Sequence, residues 1–247
     1  MKTSNLLLLL LFVFSSCSLS SVVNKSLEKK KIYSDDINFE VTLIKDDKEV
    51  KIIPLRHLGT PQFYDNLKVA LAKYQNLGYV VFYERIKSNN ATENDRRKYR
   101  KILPIKINLS DTKQVDYKEI LLEKIRKVNP KFEFTKNVVP QPTYDFLITD
   151  LNNSKNVDVT INEFVGEYER LYGTIVLDSC DYITDWRETT CNGKRAKNID
   201  KVTLDFRNNN VVNTVLSANN NKILILYGEN HINGIKKQLQ KEGFTLN

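Results

Sequence analysis

The sequence predicts an α/β (α+β) fold: a single domain with a mixed central β-sheet flanked by helices. Three observations carry that expectation. Strand and helix patterns alternate along the chain. Lys222-Ile-Leu-Ile-Leu-Tyr227 is an almost unbroken apolar run, as expected of a strand covered on both faces. Gly78, Gly173 and Gly243 each follow a helical pattern, where a residue tolerant of left-handed backbone ends a helix.

The elements follow in order. Phe39 to Ile44 alternates apolar and polar, Asp46-Asp47-Lys48 turns, and Val50 to Leu55 returns, which reads as a hairpin. Thr60-Pro61 supplies an N-cap and a first-turn proline. Phe63, Leu67, Ala70, Leu71, Tyr74 and Leu77 then recur at helical spacing. Tyr79 to Tyr83 is a buried strand. The charged stretch 87–101 is helical in its second half. Asp116 to Val128 is amphipathic, with Tyr117, Ile120, Leu121 and Ile125 on one face, and Pro130 ends it. Thr160-Ile-Asn-Glu163 is a capping box opening a helix to Gly173. Residues 174–206 read as linkers and a loop. Val211 to Leu216 forms a short helix. Ile232, Ile235 and Leu239 mark the last one.

With 41% hydrophobic and 10% aromatic residues, the chain has the material for a real core. Its formal net charge is +8, but lysines are spread throughout. The densest run is Arg96-Arg97-Lys98-Tyr99-Arg100-Lys101, read as a solvated basic helix face or one resting on anionic lipid. No nucleic-acid partner is expected, because the basic residues are spread along the chain and an exported protein, as the first residues suggest, meets little nucleic acid.

The first residues have a different character. Lys2 precedes an apolar run from Leu6 to Phe14, followed by Ser15-Ser16-Cys17. A basic start, a short apolar core and small residues before a cut site mark a signal peptide. The run is shorter than the roughly 20 residues a membrane span needs. Phe14-Ser15-Ser16-Cys17 resembles a bacterial lipobox, with Phe where Leu is usual. The resemblance implies acylation of Cys17 and a place in the bacterial cell envelope, with membrane lipid as a partner. The alternative is plain secretion with cleavage near Ser18 or Ser20. The resulting division is a lipoprotein signal peptide over 1–16, a flexible lipidated tether over 17–31 and a folded domain over 32–247. Cys180 and Cys191 remain as a pair closing a short polar loop. In an oxidising compartment they suggest a disulfide, which would add about 3 kcal/mol in the chain-entropy model. A metal pair is the alternative, but no CxxC and no nearby histidine supports it.

The chain holds two histidines, His57 and His231. Each lies between a strand and a helix, and Glu84 directly follows the strand Tyr79–Tyr83. Ligands of open α/β sheets bind beyond the carboxyl ends of strands. Two imidazoles and a carboxylate on one rim would suit a divalent ion with an open position.

Three stretches carry a family resemblance: Pro54-Leu-Arg-His57-Leu-Gly-Thr-Pro, Val80-Val-Phe-Tyr-Glu84, and Tyr227-Gly-Glu-Asn-His231-Ile-Asn-Gly234. With Arg207-Asn208 between the last two, the order resembles the TraB/GumN family, which is related to Tiki metalloproteases and to the erythromycin-esterase (EreA) and ChaN-like fold. The resemblance implies a metal-dependent hydrolase of peptides. His57, His231 and Glu84 would hold Zn, Mn or Co, with Glu84 as third ligand or general base. Arg207 would steady an oxyanion, and Asn208 would hold substrate or orient a ligand. Asp158 falls at a position often acidic in such sequences, and Gly228 opens the second histidine motif. Pro54 stands where the family places glycine, which bears on activity more than on binding. The rival expectation is a non-catalytic lipoprotein that binds metal or haem or sequesters a peptide.

Overall fold

A computed structural model describes residues 19–37, 41–103, 116–187, 193 and 197–247. Its strands are β1 (Val41–Lys45), β2 (Lys48–Leu55), β3 (Leu58–Gly59), β4 (Val80–Tyr83), β5 (Val139–Pro140), β6 (Ser154–Asn156), β7 (Lys222–Gly228) and β8 (Thr245–Leu246). Its helices are α1 (19–29), α2 (Pro61–Asn76), α3 (Glu93–Ile102), α4 (Tyr117–Arg126), α5 (Tyr144–Leu147), α6 (Ile161–Tyr172), α7 (Ser179–Ile183), α8 (Arg207–Ser217) and α9 (Glu229–Lys241). A π-helical turn, Lys201–Phe206, runs directly into α8. The chain divides into two units. The larger comprises residues 38–55, 68–115 and 143–247, and the smaller comprises the rest.

The larger unit is the expected mixed sheet with helices. Its strand order is β6-β4-β7-β2-β1-β8. β4 and β2 lie on either side of β7, both parallel to it, and β1 returns antiparallel to β2. β7 is buried from its second residue to its last, which explains its apolar run. The edge strands β6 and β8 are short, with three and two residues. Short edges limit unwanted pairing with other chains. One sheet face supplies Val50, Ile52, Phe82, Ile223, Ile225 and Tyr227 to a core shared with Val211, Val212 and Val215 of α8 and Ile232, Ile235 and Leu239 of α9. The opposite face is also closed, with Ile53, Leu55, Val81, Leu224 and Leu226 at most 1% exposed. A second core joins α3 and α6 through Tyr99, Ile102, Ile161, Phe164 and Tyr168. The capping box of α6 forms as read: Thr160 Oγ1 accepts from Glu163 N at 3.2 Å, and Glu163 Oε2 accepts from Thr160 N at 2.6 Å. Gly78 ends α2 at φ +86° and Gly243 follows α9 at φ +93°.

Several expectations change. Residues 19–29, within the stretch read as a flexible tether, form α1. Val23 and Leu27 sit one helical turn apart and join a core with Tyr33, Leu58, Leu122, Ile125, Phe132 and Val138 in the smaller unit. There β3 pairs with β5, and Asp116 caps α4 by accepting from Glu119 N at 3.0 Å. The stretch 174–206, read as loop, contains α7 and the π-helical turn. Leu77, placed on the apolar face of α2, is half exposed. Cys180 is disulfide-bonded. Cys17, Cys191, the signal segment 1–16, and Phe39 and Glu40 of the first strand lie outside the described residues.

The basic run on α3 is not a solvated face. Arg97, Arg100 and Lys101 are 7%, 2% and 1% exposed. Lys101 Nζ lies 2.5 Å from Asp181 and 3.1 Å from Asp178. Arg97 donates to the carbonyls of Asp181 and Thr184, and Arg100 donates to that of Asp185. The run ties α3 to α7. Only Arg96 and Lys98 turn to the outer side, and Lys98 meets Glu169 at 2.8 Å.

That last pair carries a pH dependence. Burial pushes the Glu169 carboxyl up, but the Lys98 ammonium and the Ile175 amide pull it further down, to a net value below the ordinary 4.5. A depressed carboxyl stabilises the fold above its ordinary pKa, and that contribution disappears as pH falls through the folded-state value. Thermal unfolding between pH 5 and pH 3 should therefore show a shallower loss of stability for Glu169→Gln than for the unaltered chain. Equal slopes would mean that this pair contributes nothing.

Candidate functional site

The carboxyl ends of three parallel strands meet at one rim of the larger unit. Leu55 of β2 is in register with Gly228 of β7, and Tyr83 of β4 with Leu226. Glu84 is the first residue beyond β4. His231 lies in the first turn of α9, and Arg207 and Asn208 open α8. Asp158 follows β6 by two residues. These side chains form one buried polar network.

Arg207 is its hub. Its Nε donates to Asp158 Oδ1 at 2.9 Å, and one terminal nitrogen to Asp158 Oδ2 at 2.6 Å and Glu84 Oε1 at 2.5 Å. The other terminal nitrogen donates to Thr203 O and His231 Nε2, both at 3.2 Å. Every N–H of the guanidinium is thus committed to a protein acceptor. Burial works against its charge, but Asp158 and then Glu84 outweigh that and hold its pKa well above the usual value. The π-helical turn explains the reach. It places the Thr203 carbonyl under the guanidinium, and π segments recur at functional sites.

His231 is 4% exposed and fixed at both nitrogens. Its Nδ1 lies 2.7 Å from Asn208 Oδ1 and its Nε2 faces the Arg207 guanidinium. A guanidinium only donates, so the network assigns the Nδ1–H tautomer with the Nε2 lone pair toward Arg207. Glu84 Oε2 accepts from the Gly228 amide at 2.5 Å, placing a carboxylate at the N-terminus of α9. The hydroxyl of Tyr144 donates to the Glu84 carbonyl.

Both glycines of the second histidine motif have a steric reason. A Cβ on Gly228 would stand 3.0 Å from Glu84 Oε2, and one on Gly234 would stand 2.2 Å from Asn208 Nδ2. Gly234 therefore leaves room for the amide that orients His231. The sequence held a signal for this: Gly228, His231 and Gly234 are spaced by three, on one side of a helix start. Tyr227, which precedes the motif, sets its ring edge-on to His231 with centroids 5.4 Å apart. Its position in an apolar strand gave no hint of a polar role.

The network brings together Glu84, Asp158, Arg207, Asn208, Gly228 and His231. His57 belongs to the smaller unit. There it is exposed, its Nδ1 lies 3.0 Å from Gln141 Oε1, and its ring stacks on Tyr117 at 4.4 Å. Each histidine thus sets its Nδ1 against a side-chain amide oxygen, an orientation common to metal-binding imidazoles. In the network, Glu84 Oε1 and His231 Nε2 lie 3.4 Å apart. Two ligands near 2.0 Å from one tetrahedral ion would be separated by roughly that much. The positive charge beside both atoms is the guanidinium of Arg207. Among the described residues, no group of three or more His, Cys, Asp or Glu is placed to hold a metal, and no helix is long and apolar enough to cross a membrane.

Comparisons with family models, with curated proteins and with solved structures return no match for this chain.

Proposed function

We propose that this protein is a peptide-bond hydrolase of the bacterial cell envelope, anchored through a lipid on Cys17, with its reaction centre at Glu84. One observation carries the reading. A carboxylate sits at the carboxyl end of a parallel strand, braced by a buried arginine, a helix N-terminus and a histidine of set tautomer. Buried charge is costly, and such networks concentrate where chemistry needs them. The motif order shared with the TraB/GumN family supports the same class of reaction.

Glu84 is the proton acceptor in this scheme. It takes one proton from a water whose oxygen bonds to the scissile carbonyl carbon. The carbon–nitrogen bond then breaks, and the proton passes from Glu84 to the leaving amine. Arg207 acts as a brace, since its donors are already spent on Asp158, Glu84, His231 and Thr203. Asn208 keeps His231 turned toward that brace. Glu84 and His231 would hold a divalent ion such as Zn, Mn or Co only with the Arg207 guanidinium displaced from Glu84 Oε1 and His231 Nε2. Such an ion would lower the pKa of a bound water and polarise the carbonyl.

The test is peptide cleavage by the purified protein, with and without added divalent ions. Glu84→Gln is expected to reduce turnover about 10²–10⁴-fold. Cleavage at the unaltered rate would end the proposal. The commitment of every Arg207 donor also favours a second reading, a peptide-sequestering lipoprotein without turnover. Peptide binding with no product, unchanged in Glu84→Gln, would select it. For the anchor, Cys17→Ser should move the protein from the membrane to the soluble fraction. Unchanged retention would count against acylation.

A further inference from the structure

We infer that the hydroxyl of Tyr227 holds an internal water against the Glu84–Arg207–His231 network, and that this water is the reactant of the site. The second half rests on the hydrolase reading above. Tyr227 is fully buried. Among the described residues, its Oη and Arg100 Nε are the buried side-chain polar atoms without a hydrogen-bond partner. Leaving a buried hydroxyl unsatisfied is destabilising, because it forfeits its hydrogen bonds to water without replacement. Native proteins meet such groups with ordered water or a ligand.

The place of this hydroxyl is what makes it informative. Tyr227 is adjacent in sequence to Gly228, whose amide fixes Glu84, and its ring stands edge-on to His231. Burial, then the Asp158 and Glu84 carboxylates, push its ionisation far up, so it stays a protonated donor. A phenol both donates and accepts, as a bridging water requires. The guanidinium and imidazole donors of the network are taken. Arg207 has spent its N–H groups, and His231 gives Nδ1–H to Asn208. Tyr227 is therefore the buried donor that the network has not used.

A high-resolution crystal structure of the protein tests the seat directly. The expected result is a water about 2.7–2.8 Å from Tyr227 Oη that also donates to a Glu84 carboxylate oxygen. An Oη bonded to a protein atom, or facing no ordered water, would overturn the inference. Tyr227→Phe tests the role. The chain should stay folded with a slightly lower melting temperature, because one hydrogen bond to the internal water is lost and the ring packing is kept. Peptide turnover should fall about 10²-fold at unchanged KM, as for loss of one donor that acts on the reacting atoms. Full turnover in Tyr227→Phe beside a crippled Glu84→Gln would sink this inference and leave the hydrolase standing. If Glu84→Gln also keeps full turnover, the reactant role falls with the hydrolase reading, and the crystal structure alone decides the water seat.

Discussion

Replacing Arg207 with methionine is expected to destabilise the larger unit by about 3–5 kcal/mol, the cost of breaking a buried ion network from one side. Methionine preserves much of the volume, so the loss isolates the charge and its bonds. Asp158 is 0% exposed and would keep the Val159 amide, which donates to its Oδ1 at 2.8 Å. Glu84 would keep the Gly228 amide. Two carboxylates would then sit in low dielectric without their cation. Urea denaturation measures the change, and a melting temperature lower by roughly 2–4 °C per kcal/mol should accompany it. Adding Asp158→Asn to Arg207→Met should recover part of the loss, because one uncompensated charge is removed. Arg207→Lys should recover less than the charge alone suggests, since an ammonium cannot grip Asp158 through two parallel bonds. A cost within the 0.5 kcal/mol typical of surface changes would mean that the network does not hold this rim together.

The second large effect is expected at Gly234. On helix propensity alone, Gly→Ala inside α9 should stabilise by up to about 1 kcal/mol. The structure predicts the opposite sign. The new Cβ would stand 2.2 Å from Asn208 Nδ2 and 3.3 Å from its Cγ, so Asn208 must move. Overpacking of this kind costs about 1–3 kcal/mol. Displacing Asn208 also removes the acceptor from His231 Nδ1 and releases the ring from its set tautomer. The control is Gly166 in α6, where an added Cβ meets nothing within 4 Å. Gly166→Ala should be neutral or stabilising. A double-mutant cycle gives the decisive measurement. In an Asn208→Ala background the obstacle is gone, and Gly234→Ala should turn from destabilising to stabilising. If it stays destabilising there, the clash with Asn208 is not its cause.

Much of the sheet was legible in the residues. The 222–227 run can be buried on both faces, so its central place followed from hydrophobicity alone. The hairpin, the capping box at Thr160 and the glycine stops are local signals that tertiary packing did not override. The edge strands were not legible. Ser154-Lys-Asn156 has no apolar alternation because it pairs on one side only and stays half exposed. Nor was the burial of Arg97, Arg100 and Lys101, since their acceptors lie about 80 residues away on α7 and the residues flanking it. Val23 and Leu27 held a usable helical signal, but the polar residues between them hid it.

At the candidate site, position along the chain was enough to single out His57, Glu84 and His231, because each stands between a strand and a helix, whereas Arg207 and Asn208 entered only through the motif resemblance. That much the order of residues determined. Tertiary structure alone decided how their bonding capacity is spent: Arg207 braces carboxylates, Asn208 sets a tautomer, and the Tyr227 hydroxyl meets no protein partner among the described residues. It also seated His57 beside Gln141 and Tyr117, in a different unit from His231. The reason is physical. Local pattern reports which groups a segment presents, whereas hydrogen-bond saturation depends on which distant groups the fold brings within 3 Å or so.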